Sequence, residues 1–264
     1  MPTGELIMNF DPKEVARMLI EAEANVKQIP ASMKPDFTME TAYAVQNAIR
    51  DAKVKKGLRV VGKKIGFTSQ AMRKLFEISE PDYGNLFSDQ IYSQGTPIKR
   101  DKFTRPLVEG EIAFILKGDL KGPGIGASDV VRATEGVMAC VELLDSRWDL
   151  PKLIGLDSIA DNGTGAGFLL GSKLVPLNDL DLRLIAMYIE KNGALISSGA
   201  GVEALGDPLN AVAWLANKMS EYKDCLKAGD IILSGALTGA VPMQAGDSMQ
   251  VYFSALGSIS LRFE

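Results

Sequence analysis

Apolar residues fall at helical spacing near the start of the chain and at strand spacing over most of the rest. Val15, Met18, Leu19, Ala22 and Val26 recur every three to four positions, which lines one face of an α-helix. Asp11-Pro12-Lys13-Glu14 begins that helix, with Asp as cap, Pro at the first helical position and Glu at the third. Thr38 opens a second helix with the stripe Ala42, Val45, Ile49 and Ala52, stopped by Gly57. Residues 59–65 read as a strand and 69–76 as a short helix, and Pro81-Asp82-Tyr83-Gly84 carries a turn signature. From Pro97 the pattern changes to strands and turns. Asn192-Gly193, between two apolar strands in 184–197, is the strongest hairpin signal. Asp207-Pro208 starts a further helix with Val212, Leu215, Ala216 and Met219 facing inward, and residues 231–234, 249–253 and 259–263 are strands. There is no internal repeat. These elements predict an α+β fold, with a helical N-terminal portion over residues 1–77 and a β-rich body over 78–264.

Composition narrows the function. At 264 residues, 46% hydrophobic and 23% charged, the chain has enough apolar material for one large domain or two small ones. A net charge of −4 supplies no general basic field for nucleic acid. Lys53, Lys55, Lys56 and Arg59 read as a solvated helix end that complements the helix dipole. The first nine residues lack the basic-then-apolar plan of a signal peptide, and no apolar run is long enough to span a bilayer. Two cysteines, Cys140 and Cys225, are too few for a disulfide framework, and Cys140 reads as core. A cytoplasmic location with no membrane partner is expected. Gly122-Pro123-Gly124-Ile125-Gly126 invites a phosphate-loop reading but lacks the Lys-Ser/Thr pair and the dinucleotide spacing. It reads as a turn feeding a helix capped by Ser128.

The chain contains no histidine. That removes Ser-His-Asp and Cys-His nucleophiles, histidine zinc sites and the commonest neutral-pH base. Acid–base work falls to Lys, Asp, Glu, Tyr or metal-bound water. Within this limit Glu109-Gly110-Glu111 stands out, because the apolar run 107–116 surrounds it. On a strand the two carboxylates share a face. A Glu-x-Glu pair on a solvated strand face would be mere surface, but here both faces are mostly apolar, which favours burial. Glu142 lies in a second apolar run, 137–144, with Met138, Cys140 and Leu144 on its own face. Buried like charges need a cation. Three carboxylates without His or Cys suit a hard, oxygen-seeking ion such as Mg²⁺ or Mn²⁺.

Several segments in unbroken order resemble the fumarylacetoacetase-like superfamily, in its branch of 2-keto-4-pentenoate hydratases and 4-oxalocrotonate decarboxylases. They are Val61-Gly62-Lys63-Lys64-Ile65-Gly66-Phe67-Thr68-Ser69, Glu80-Pro81-Asp82-Tyr83-Gly84 and Val108-Glu109-Gly110-Glu111-Ile112-Ala113-Phe114. Glu142-Leu143-Leu144-Asp145-Ser146-Arg147, Ala160-Asp161-Asn162, Glu190-Lys191-Asn192-Gly193 and Ala213-Trp214-Leu215-Ala216-Asn217 continue the likeness. The resemblance implies a mixed, distorted β-roll body, homo-oligomers, and a divalent metal on Glu109, Glu111 and Glu142. It also implies an active-site lysine at Lys64 and an acid/base aspartate at Asp82. Lys64, Thr68, Arg105 and Thr238 are the candidate substrate-binding residues. Relatives often carry Lys or Arg where this chain has Leu107, and Arg105, on the same strand face, is the candidate substitute. Of the adjacent Lys63 and Lys64, one is expected to be solvated, and alternation alone does not say which. The bare sequence also allows Asp82 to be no more than a turn-forming residue after proline.

The implied activity, in aromatic meta-cleavage catabolism, is hydration of 2-hydroxypenta-2,4-dienoate to 4-hydroxy-2-oxopentanoate. It needs Lewis-acid stabilisation of a dienolate and proton delivery to its far carbon. Asp82 suits the proton carrier and Lys64 the electrostatic partner of the enolate or carboxylate. Decarboxylation of 2-oxohex-3-enedioate shares that dienolate and nearly all these residues. Pro81-Asp82-Tyr83-Gly84 looks like the hydratases, whereas Gly235-Ala236-Leu237-Thr238-Gly239-Ala240-Val241-Pro242 is closer to the decarboxylases. Asp82 carries more weight, so hydratase is the first expectation and decarboxylase the alternative. A His-assisted C–C hydrolase does not fit a chain without His. A silent subunit associated with a sister hydratase or decarboxylase is the non-catalytic alternative.

Overall fold

The computed structural model describes residues 10–76, 78–150 and 155–264. The leader-free reading of residues 1–9 and residue 77, where the domain boundary is expected, lie outside them.

Helix α1 (Pro12–Ala24) starts as its cap predicts, with the Asp11 carboxylate accepting the Lys13 N–H at 2.9 Å. After β1 (Ile29–Pro30) comes α2 (Met39–Lys55), opened by a reciprocal Thr38–Thr41 capping box. Next are β2 (Val60–Gly66), α3 (Gln70–Phe76), β3 (Asp82–Phe87) and β4 (Ile91–Tyr92). The middle of the chain forms β5 (Leu107–Leu116), α4 (Ala127–Ala133), β6 (Thr134–Leu144), β7 (Trp148–Asp149), α5 (Gly155–Ala160) and β8 (Gly165–Leu170). The last part holds the hairpin β9 (Ala186–Lys191) and β10 (Ala194–Ala200), then α6 (Pro208–Glu221). It ends with β11 (Ile231–Leu233), β12 (Val241–Pro242), β13 (Ser248–Phe253) and β14 (Gly257–Arg262).

Two sheets make the body. The larger runs β3-β2-β11-β5-β6-β8-β4, with β12 also on β5, and the smaller runs β10-β9-β13-β14. Pairing in the larger sheet is antiparallel except for β11 with β2 and β4 with β8. The architecture is thus α+β with a mixed, curled sheet, as expected. Strand β5 is apolar on both faces because both faces are covered. Val108, Gly110 and Ile112 face the smaller sheet, and the approach at Gly110 is so close that a Cβ would lie 2.2 Å from Met187 Sδ. Glycine between the two glutamates is therefore what lets the sheets meet. Leu86, Ala113, Cys140, Phe168 and Leu233 pack together on the other face, beside the glutamates, and Cys140 is core as read.

Three local expectations change. Pro81-Asp82-Tyr83-Gly84 is not a turn: Asp82 starts a strand buried along its whole length, because β2 on one side and the 162–164 turn on the other enclose it. Helix α4 is capped at Gly126, whose N–H donates to Asp129 Oδ2 at 2.9 Å, and Ser128 lies inside it. Lys53 is not solvated: α1 packs across α2, and Glu23 reaches Lys53 Nζ at 2.7 Å. The 122–126 segment is a structural turn, pinned by Asn217, which exchanges two hydrogen bonds of 2.9 Å with the Ile125 backbone.

Candidate metal and active site

Antiparallel register sets Glu109 directly opposite Glu142, and Glu111 opposite Cys140, so all three carboxylates share one face. Each offers an oxygen within 4.8 Å of the others'. Glu111 and Glu142 are fully buried, and Glu109 is partly exposed at the edge of the group. Glu111 Oε2 accepts the Gly235 N–H at 2.7 Å. Glu111 Oε1 and Glu142 Oε1 are buried without a hydrogen bond, and Glu142 Oε2 faces the Lys64 ammonium. Burial, then the charge of Glu142, pushes Glu109 up to about 7. Burial also raises Glu111 and Glu142, against the pull of Lys64. Three carboxylates thus face one ammonium. Orphaned buried oxygens, an all-oxygen donor set and this spacing fit a hard divalent ion.

Lys64 and Lys63 sit on opposite faces of β2, and both are buried, at 4% and 5% exposure. The expectation that one is solvated is wrong, because each lysine is buried and has a buried polar partner on its own face. Lys63 Nζ donates to Asn85 Oδ1 at 2.7 Å, and burial lowers its pKa. Lys64 Nζ lies 3.2 Å from Glu142 Oε2 and donates to the Gly163 carbonyl at 2.9 Å. Burial alone would lower the Lys64 pKa, but Glu142, Asp82, Glu109 and Glu111 together outweigh it, so the ammonium stays charged.

Asp82 pairs with Gly66 across β2–β3, two rows beyond Lys64 and on the same face. It is 2% exposed. Burial raises its pKa most, while Lys64, the Ser158 hydroxyl and the Gly66 N–H pull the other way. Neither carboxyl oxygen closes a full hydrogen bond. Thr68 is buried against Gly235, where a Cβ would lie 2.2 Å from Thr68 Oγ1. It therefore stands beside the residue that holds Glu111. Thr238 lies further out along that loop, with its hydroxyl 3.4 Å from Ser197 Oγ. Arg105 stays outside the cluster: its guanidinium is exposed and paired with Asp149 at 2.6 Å.

Other groups complete the site without having been singled out for a role. Arg147 and Asp161 form a buried ion pair at 2.6 Å. Beside it Asn162, Gly163 and Thr164 all adopt left-handed φ, at 54°, 63° and 54°. Asp161-Asn162-Gly163 is a recognisable turn tripeptide, but nothing local says that the turn ends on a lysine 99 positions away.

The chain was compared with known proteins. The family model described as Fumarylacetoacetate (FAA) hydrolase C-terminal matches residues 53–264. A 2-oxo-hept-4-ene-1,7-dioate hydratase of Escherichia coli is 40% identical over 258 residues, covering 94% of this chain and 96% of its own. A 2-keto-4-pentenoate hydratase of Burkholderia vietnamiensis is 38% identical over 254 residues, covering 94% and 96%. The structure of the 4-oxalocrotonate decarboxylase from Pseudomonas putida G7, complexed with magnesium and adipate, superimposes with a TM-score of 0.92. It has 36% identity and covers 96% of this chain and 97% of its own.

Proposed function

The chain belongs to the fumarylacetoacetate (FAA) hydrolase C-terminal family, and we propose that it is a divalent-metal-dependent hydratase acting on 2-hydroxypenta-2,4-dienoate. Its relatives are lyases of two kinds, hydratases and a decarboxylase, and structures of the decarboxylase hold magnesium or calcium. Glu109, Glu111 and Glu142 would hold Mg²⁺ or Mn²⁺. When bound, the ion supplies Lewis-acid stabilisation of negative charge on the 2-oxo acid end of the substrate.

The chain's own residues supply the rest. The Lys64 ammonium attracts the substrate's carboxylate or enolate oxygen. Thr68 and Thr238, near the Gly235 segment that holds Glu111, would offer hydroxyls to the substrate. Asp82 carries the proton: burial raises its pKa, which shifts the carboxyl toward the protonated form that a general acid needs. The acid delivers that proton to C5 as the 2-hydroxyl loses its own, which gives a conjugated 2-oxo-3-enoate. Water oxygen then bonds to C4, a proton goes to C3, and 4-hydroxy-2-oxopentanoate results.

The observation that carries this reading is a buried Asp82 carboxyl on the same face of the sheet as Lys64 and the three glutamates. Incubation with Mg²⁺ and the dienoate in D₂O, followed by NMR, should yield the hydroxy-oxo acid with deuterium at C5. CO₂ release from 2-oxohex-3-enedioate with no hydration would install the decarboxylase reading instead. That second reading is supported by Gly235, which opens the decarboxylase-like segment and donates directly to Glu111. Leu184, Leu195, Ile196 and Val202 are exposed apolar residues on and around the free edge strand β10. They support a homo-oligomer, and association with a sister enzyme would use the same kind of surface. Among the described residues no helix is long and apolar enough to cross a membrane.

A further inference from the structure

We infer that the left-handed turn Asn162-Gly163-Thr164 is a positioning device for the Lys64 ammonium, fixing its direction as well as its place. The inference rests on the reading of Lys64 given above.

An ammonium has three N–H donors and rotates freely about its stem. Here the Gly163 carbonyl takes one at 2.9 Å and Glu142 Oε2, at 3.2 Å, attracts another. One donor is left for a substrate oxygen. The Gly163 carbonyl is itself held, since it also accepts the Thr164 hydroxyl at 2.8 Å. The Lys64 stem is confined between two glycines: a Cβ on Gly163 would lie 2.9 Å from Lys64 Cδ, and one on Gly84 3.1 Å from it. Gly84 also admits the turn, for the same Cβ would be 2.4 Å from the Asn162 carbonyl oxygen.

This turn is not a relaxed one. Left-handed φ is tolerable for Asn and natural for Gly, but it is a genuine outlier for β-branched Thr164. Such strain persists only where the surroundings over-determine it. Asn162 clamps β3: its Oδ1 accepts the Asn85 N–H at 2.8 Å and its Nδ2 donates to the Asn85 carbonyl at 2.9 Å. On the other side Arg147 donates to Asp161 Oδ1 at 2.6 Å and to the carbonyls of Asp161, at 2.5 Å, and of Gly165, at 3.2 Å. The turn is gripped from both ends, and its middle carbonyl points at Lys64.

Two variants test this, each compared with wild type on the metal-loaded protein. Asn162→Gly keeps the left-handed backbone and removes the clamp on β3. Thr164→Val keeps the side-chain shape and removes only the hydroxyl bond to the Gly163 carbonyl. The first should lower kcat by about 10²-fold, the loss typical of a group misplaced by an ångström, and the second several-fold, with KM and Mn²⁺ affinity little changed. In protein carrying ¹⁵N-lysine, a slowly exchanging ammonium resonance, assigned through its loss in Lys64→Met, should broaden or vanish in both. Should Asn162→Gly fail to fold, Thr164→Val decides alone. Wild-type kcat together with an unaltered Lys64 resonance in a folded variant overturns the inference. Inactivity of the wild type on both dienoates would instead defeat the proposed function, and the resonance would still report on the turn.

Discussion

Asp82 and Glu111 have separable duties in the proposed reaction, and single substitutions test each. Asp82 does not belong to the glutamate group, so Asp82→Asn should keep Mn²⁺ and substrate-analogue binding while slowing hydration by about 10² to 10⁴-fold. Its effect on CO₂ release from the diacid should be much smaller, because that reaction needs no proton relay for adding water. Equal losses on both substrates would count against Asp82 as the hydration acid. Glu111→Gln keeps the Gly235 hydrogen bond within reach of its amide oxygen but removes one negative ligand. The protein should fold, and its Mg²⁺-dependent turnover should fall below detection. A folded Glu111→Gln protein with normal turnover would sink the proposed metal site. The acid/base reading of Asp82 came from the family resemblance alone, whereas Glu111 was legible as a candidate ligand because a charged residue inside an apolar run declares itself. The buried Lys63 was not: two adjacent lysines look alike until the layers covering each face of β2 are known.

At the scale of elements, caps and hairpins were readable because they are local. Asp11, Thr38 and Asp207 each cap the helix they announce, and Asn192-Gly193 joins β9 to β10. Pro81-Asp82-Tyr83-Gly84 misled because turn-forming residues are also the residues that admit close approach. Gly84 serves the Asn162 carbonyl and the Lys64 stem, neither of which is near it in sequence. Gly110 makes the same point on β5. Gly110→Ala would push a methyl onto the flexible end of Met187, and overpacking of this kind costs about 1–3 kcal/mol. Because Glu109 and Glu111 flank that position, the same change should also weaken Mn²⁺ binding. Chemical denaturation and a metal titration on the one variant measure both effects. A stability loss with unchanged affinity would show that β5 yields without moving its carboxylates.

For the whole molecule, the carboxylate cluster ties stability to metal and pH. Binding to the folded state alone stabilises by about 2.7 kcal/mol at a hundredfold excess over Kd, so Tm should rise with Mg²⁺ or Mn²⁺ and fall with chelator. A melting curve indifferent to all three would contradict a preformed site. In metal-free protein Glu109 is raised from 4.5 to about 7. Its stabilising contribution is therefore complete below about 4.5 and is lost as pH climbs through about 7. With chelator present, Tm should decline across that window, and Glu109→Gln should decline less. With saturating Mg²⁺ the trend should reverse, since the ion competes with the same protons.

The two lysines of β2 also limit what insertions the gene can accept. Side chains alternate along a strand, so adding or removing one residue between Leu58 and Gly62 would exchange Lys63 and Lys64 between faces. The ammonium now bonded to Asn85 would be turned toward Glu142, and its neighbour would be buried against the wrong layer. Gly62 would also leave the spot where any larger residue meets the Ile231 carbonyl, a Cβ there lying 1.8 Å from its oxygen. This stretch should accept many substitutions at its outer positions, yet no change of length. In a library of single-codon insertions and deletions it should be empty of active clones, while the Asn192-Gly193 hairpin tip, with open space around its glycine, should be well populated.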